Sequence, residues 1–221
     1  MSWPLAIVIA FLAGSIPFGL LIAKAKGVDI RQHGSRNIGA TNVARVLGLK
    51  PGLLCFALDV LKGLLPTLGA GLWAGLAGQM TPAAADAWWW LAVMAASIFG
   101  HMFSPWVRFK GGKGVATGLG ALLGVFPGLA VPGLVAFSIW LITFFRWRYV
   151  SLSSCLAAIS IPLATAALFG VAGELRAGLP FIVVGGAIAA LVIFKHRGNL
   201  RRLRRGTEPR FGRRVASVRV S

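Results

Sequence analysis

The feature that most constrains this chain is a succession of apolar segments joined by short connections: residues 3–23, 52–77, 87–103, 114–126, 128–145, 152–171 and 179–194. A helix of about 20 apolar residues crosses a hydrocarbon core of about 30 Å. The pattern therefore predicts an all-α polytopic membrane protein with about seven transmembrane helices. Within the first segment, Pro17 in Ser15-Ile-Pro-Phe-Gly19 predicts a kink, because proline removes a helical hydrogen bond. Segment 114–126 is short for a full crossing and turns into the next at Pro127-Gly128. Trp88, Trp89 and Trp90 are expected at a water interface.

Charge supplies the orientation. The formal net charge is +18, although only 13% of residues are charged and 57% are hydrophobic. With a mean hydropathy of +0.80, this is not a nucleic-acid binder but a membrane protein with basic loops. With seven crossings, loops 24–50, 104–113 and 146–148 and the tail 195–221 share one side and hold 21 of the 23 basic residues. The opposite connections, 78–86 and 172–178, hold only Arg176. The positive-inside tendency places the N-terminus outside and the C-terminus in the cytoplasm. Residues 1–194 read as one helical membrane domain, with motif loops at 24–50, 104–113 and 146–151. Residues 195–221 read as a basic cytoplasmic tail. No Lys or Arg precedes the first apolar run, so that run is expected to stay as a membrane helix. Cys55 and Cys155 fall inside apolar segments and read as small core residues.

Three of the loops on the basic side are unusual. The first is Gly34-Ser-Arg-Asn-Ile-Gly-Ala-Thr-Asn-Val-Ala-Arg45. Ser35, Thr41 and Asn42 can donate hydrogen bonds, Gly39 and Ala40 allow close backbone approach, and Arg45 can grip a phosphate or carboxylate with two parallel bonds. Ser, Asn and Thr also favour helix caps, which is the plainer reading. The second loop sets Lys113 among Gly111, Gly112 and Gly114. Backbone amides there can close around an anion, and the following apolar run can begin a helix whose N-terminus favours anions. The spacing is not that of a Walker A loop. A flexible basic loop is the alternative. The third begins Lys195-His-Arg-Gly-Asn199 and ends at Glu208. Most of its arginines suit anionic lipid headgroups. His196 and Asn199 lie three apart on one helical face beside the membrane and are not needed for that anchoring. Many anion donors and few carboxylates suit a phosphorylated substrate, and argue against a carboxylate dyad, a metal site or a haem site.

At these residues the sequence resembles a known family, the bacterial acyl-phosphate:glycerol-3-phosphate acyltransferases, or PlsY family. The resemblance covers nearly the whole chain. It includes Gly14-Ser-Ile-Pro-Phe-Gly19, the loop Gly34–Arg45, Asp59-Val-Leu-Lys-Gly63 and Gly100-His101. It continues through Phe109-Lys-Gly-Gly-Lys-Gly-Val-Ala-Thr117, Tyr149-Val-Ser-Leu152 and the run from His196 to Glu208. Arg36 departs from it, since the family usually has glycine there. The basic extension after Glu208 lies outside the family pattern.

The resemblance implies a seven-helix enzyme of the bacterial inner membrane with a cytoplasmic active site. It would move a fatty acyl group from acyl phosphate to the sn-1 hydroxyl of glycerol 3-phosphate, releasing lysophosphatidic acid and phosphate. It implies no cofactor or metal, and no direct use of acyl-CoA or acyl carrier protein. By the family pattern, Ser35, Arg45, Lys113, Ser151, His196 and Asn199 contact substrate phosphates, and Gly39-Ala40-Thr41-Asn42 cradles the acyl phosphate. Gly112, in the Lys113 loop, is expected to bind substrate with it. The general base is either a substrate phosphate, the preferred reading, or His196. Expected partners are the two small substrates and anionic membrane lipids, with no nucleic acid; a monomer is compatible with this.

Other residues carry two readings. Asp59 and Lys62, three apart, form an intramembrane ion pair, or Lys62 contacts substrate. His101 is a hydrogen-bonded helix end or a positioner of the Gly-Lys loop. A membrane transporter of phosphate or an organic phosphate is the competing function; it would favour repeated halves and midplane sites, which the sequence lacks. A non-catalytic lipid-binding scaffold is the third.

Overall fold

The computed structural model describes residues 1–212 and is helical throughout its ordered elements. The last third of the predicted basic tail, from residue 213, lies outside the described residues.

The first segment breaks where Pro17 predicts. Helix α1 (Trp3–Ser15) stops, and α2 (Phe18–Lys24) resumes after Ile16 and Pro17. The break frees the Ile16 carbonyl from helical pairing, and Lys62 Nζ donates to it at 2.6 Å. A short helix, α3 (Ala40–Leu47), ends at Gly48, whose φ of +94° favours glycine and turns the chain directly into α4 (Leu49–Trp73). Then follow α5 (Ala84–Met102), α6 (Val115–Gly124), α7 (Ala130–Trp147), α8 (Val150–Val171), α9 (Leu175–Lys195) and α10 (Arg197–Arg204).

Among the described residues, six helices are long and apolar enough to cross a membrane, with α1 and α2 counted together. The seventh expected crossing, 114–126, is instead the ten-residue α6. At 1.5 Å per residue it spans about 15 Å, half of a hydrocarbon core. Glycine-rich composition, Gly118, Gly120 and Gly124 in one short helix, gives it little lipid-facing bulk and suits it to packing against α4.

That packing is backbone to backbone. A Cβ on Gly63 of α4 would lie 2.1 Å from the Thr117 carbonyl oxygen of α6, and one on Gly120 would lie 1.9 Å from that of Val60. The α1–α5 contact uses Gly14 and Gly100 in the same way. Close approach through small residues is how helices associate where lipid removes the hydrophobic drive. Between these pairs lies a core containing Trp90, Met94, Ile98, Leu122, Leu129, Phe169 and Phe181. Trp90 is therefore not the interfacial residue expected: it is 1% exposed, and its indole N–H donates to the Thr67 carbonyl at 2.8 Å. A large side chain with one donor can be buried when that donor finds an acceptor. Trp88 and Trp89 do remain exposed. Leu5, Leu12, Leu65, Leu72, Leu163 and Val183 face outward and are exposed, as a lipid-facing belt requires. Cys55 and Cys155 are buried and unpaired.

Candidate active site

One end of the bundle gathers the three unusual loops. Lys113 reaches from the loop before α6 and donates to Asn199 Oδ1 of α10 at 2.5 Å. Asn199 Nδ2 donates to Glu208 Oε1 at 2.7 Å. Ser151, in the first turn of α8, donates from Oγ to the same oxygen at 2.8 Å. Arg202 Nε donates to Glu208 Oε2 at 2.8 Å. Residues of α8 and α10 thus meet on one carboxylate, and the Lys113 loop joins it through Asn199. Glu208 was not among the residues predicted for the site. Its only signal was to be the sole acid among ten Lys or Arg in the tail.

Arg45 completes the cluster electrostatically. Burial pulls its guanidinium below the ordinary range, while Glu208 opposes that effect and Arg202 adds to it. It stays protonated at any physiological pH. Burial lowers the Lys113 ammonium to about 8, again with Glu208 acting against the shift. His196 is buried, and burial with the nearby Lys113 charge lowers it to about 4. Its ring is therefore neutral near pH 7. Nδ1 lies 2.8 Å from the Val192 carbonyl. A carbonyl only accepts, so Nδ1 carries the proton and Nε2 presents a lone pair.

The loop that carries Lys113 is held from below. Ser104 Oγ donates to the Ser15 carbonyl at 2.6 Å, and Trp106 Nε1 to Ser15 Oγ at 2.8 Å, so the α5–α6 connection is tied to the break in α1. The Gly112 N–H donates to the His101 carbonyl at 3.1 Å. That amide is therefore not free to close around an anion, a correction to the amide nest expected there. Gly114 has φ of +78° and serves as the N-cap of α6. Gly112 packs on the His101 ring so tightly that a Cβ would lie 2.1 Å from Nε2. His101 Nδ1 in turn lies 3.7 Å from Asp59 Oδ1. His101 thus supports the loop as well as ending its helix.

Lys62 pairs with Asp59 at 2.7 Å, both buried. The structure places it with Asp59, the Ile16 carbonyl and the Phe18 ring, and makes no contact between it and the Glu208 cluster.

In the first loop, Asn42 is buried, and its side chain is engaged by the loop itself. Oδ1 accepts from the Ser35 N–H at 2.8 Å, and Nδ2 donates to the carbonyls of Asn37, His33 and Ile30 at 2.9, 3.0 and 3.4 Å. Its side chain shapes the loop rather than offering a free donor. Ser35 is exposed at the loop rim. Gly39 is the N-cap of α3 with no side-chain cap, and Ala40 and Thr41 form its first turn. Arg36 sits at φ of +59°, which accounts for glycine being usual at this position in the resembling family.

Fold and site together define a multi-pass helical membrane protein with a cationic, hydrogen-bonded cluster at one end. A family model described as glycerol-3-phosphate acyltransferase matches residues 4–206. The chain belongs to the glycerol-3-phosphate acyltransferase family, of the PlsY type. It is 48% identical over 204 residues to the glycerol-3-phosphate acyltransferase of Geotalea daltonii, covering 92% of this chain and 95% of that one. It is 44% identical to that of Aquifex aeolicus, covering 93% and 97%. The crystal structure of PlsY, an integral membrane glycerol 3-phosphate acyltransferase, in its glycerol 3-phosphate form superposes with a TM-score of 0.81 at 43% identity over 96% of each chain. Its lysophosphatidic acid form gives 0.79 at 42% identity.

Proposed function

We propose that this enzyme transfers a fatty acyl group from acyl phosphate to the sn-1 hydroxyl of glycerol 3-phosphate, at the cytoplasmic face of the bacterial inner membrane. The observation that carries this reading is the meeting of Lys113, Asn199, Ser151 and Arg45 around Glu208 at one end of the bundle. Such a cluster holds two phosphorylated reactants close together, which is the main task when the donor is already an activated anhydride.

In the reaction, the glycerol hydroxyl oxygen bonds to the acyl carbonyl carbon and the bond from that carbon to the phosphate oxygen breaks. Phosphate leaves with the electron pair, and the hydroxyl proton ends on phosphate. Lys113 and Arg45 stabilise the charge that develops, and Ser35 with the Gly39-Ala40-Thr41 turn of α3 faces the acyl phosphate. Ser151, Asn199 and His196 serve glycerol 3-phosphate.

The proton acceptor is a substrate phosphate, whose second pKa near 6 suits the task. Two features of the site support this. Glu208 is engaged by three donors, and His196, lowered to about 4, is a poor base.

Purified protein supplied with palmitoyl phosphate and glycerol 3-phosphate should release inorganic phosphate and lysophosphatidic acid only when both are present. Lys113→Ala and Asn199→Ala, with unchanged thermal melting, should each lower turnover by about 10²-fold or more. Equal activity with acyl-CoA would overturn the donor assignment, and full activity in both variants would overturn the site.

A further inference from the structure

On the same end of the molecule, apart from the Glu208 cluster, a groove of about 520 Å³ runs between the end of α2, the end of α3 and the start of α4. Ile22, Leu47, Leu49 and Leu54 form its apolar walls, and Lys26 and Lys50 stand in its lining. Both lysines are exposed, and neither makes an ion pair among the described residues. Asp29, the acid nearest in sequence to Lys26, is held by Arg31 at 2.7 Å. The N-terminus of α4, at the groove's edge, has no side-chain cap, so its dipole adds to the positive field. Below it, Leu21, Leu53 and Leu54 are exposed on helices that face lipid, so the groove is continuous with the lipid-facing surface.

We propose that this groove is a binding site for an anionic phospholipid of the surrounding leaflet. The headgroup phosphate lies between Lys26 and Lys50, and an acyl chain follows Ile22 and Leu54. The two halves of the site identify the ligand by chemistry: cations and amides at the rim select an anion, and apolar walls select one with a hydrocarbon tail. A soluble phosphate would gain nothing from those walls. The bound lipid fills the angle between α3 and α4, which meet at Gly48 with no atom within 4 Å of the space a side chain would take. It thereby braces the helix that carries Arg45.

Titration of the detergent-purified full chain with phosphatidylglycerol or phosphatidylcholine, read by native mass spectrometry, tests this. The tightest phosphatidylglycerol site should weaken about fivefold for Lys26→Gln or Lys50→Gln and about 25-fold for both. Phosphatidylcholine binding should be weak and unchanged, and Arg204→Gln with Arg205→Gln at the end of the basic helix α10 should leave the tightest site intact. Equal affinity of the parent protein for the two lipids would overturn the proposal without any variant. So would parent-like phosphatidylglycerol binding by the double variant, or displacement of the lipid by inorganic phosphate.

Discussion

Lys113 combines a charge with burial, so an anion bound beside it would be held in proportion to its protonation. Held at about 8 without ligand, it is protonated below that pH and loses its charge above it. A bound phosphate favours the charged form and raises the value. Affinity for glycerol 3-phosphate should therefore be level from about pH 7 to 8 and fall up to tenfold per unit above. Lys113→Arg should move the fall upward, because guanidinium keeps its proton. A KM that stays constant through pH 9.5 in the parent protein would contradict this. Much at this scale was legible: the Gly-Lys loop, Arg45, His196 and Asn199 announced themselves by type and spacing. Glu208 did not, because its partners lie 9 and 57 residues away and a lone acid in a basic tail reads as a stray charge. The structural use of the Asn42 side chain was hidden for a related reason. An amide that could face a ligand has the same sequence signature as one that folds a loop on itself.

Among the elements, the connection from α5 to α6 decides where the lysine stands. It rests on His101, which rests on Asp59, so a helix-buried ion pair is coupled by contact to the loop. Gly112→Ala would thrust a methyl into the His101 ring, and overpacking of this kind costs about 1–3 kcal/mol. Its expected effect is a rise of at least tenfold in KM for glycerol 3-phosphate, with the protein still folded. Adding His101→Ala should recover part of the loss, measured as a non-additive double-mutant cycle. Simple additivity would show that the ring does not carry the loop. Element boundaries were legible where proline or charge marked them, as at Pro17. They were not legible at α6, where hydropathy alone cannot separate a short buried helix from a full crossing. Trp90 was misassigned because the acceptor that permits its burial belongs to another helix.

For the molecule as a whole, we infer the orientation from the basic loops. Cys55 and Cys155 are buried, so they form a quiet background for labelling. In intact cells, a cysteine replacing Gln79 should react with an impermeant maleimide, whereas one replacing Lys110 should react only after permeabilisation. The reverse pattern would invert the assignment. The short α6 has a further effect. It rises from the same end as Phe126, whose carbonyl accepts from the Gly78 N–H at 2.9 Å, and stops after ten residues. Its first turn meets α4 at Gly63, and the Lys113 loop packs through Gly112 on His101, which faces Asp59 of α4. We infer that the site is recessed: an acyl donor enters sideways with its tail still immersed in oil, and its water-borne partner descends past cations to meet it.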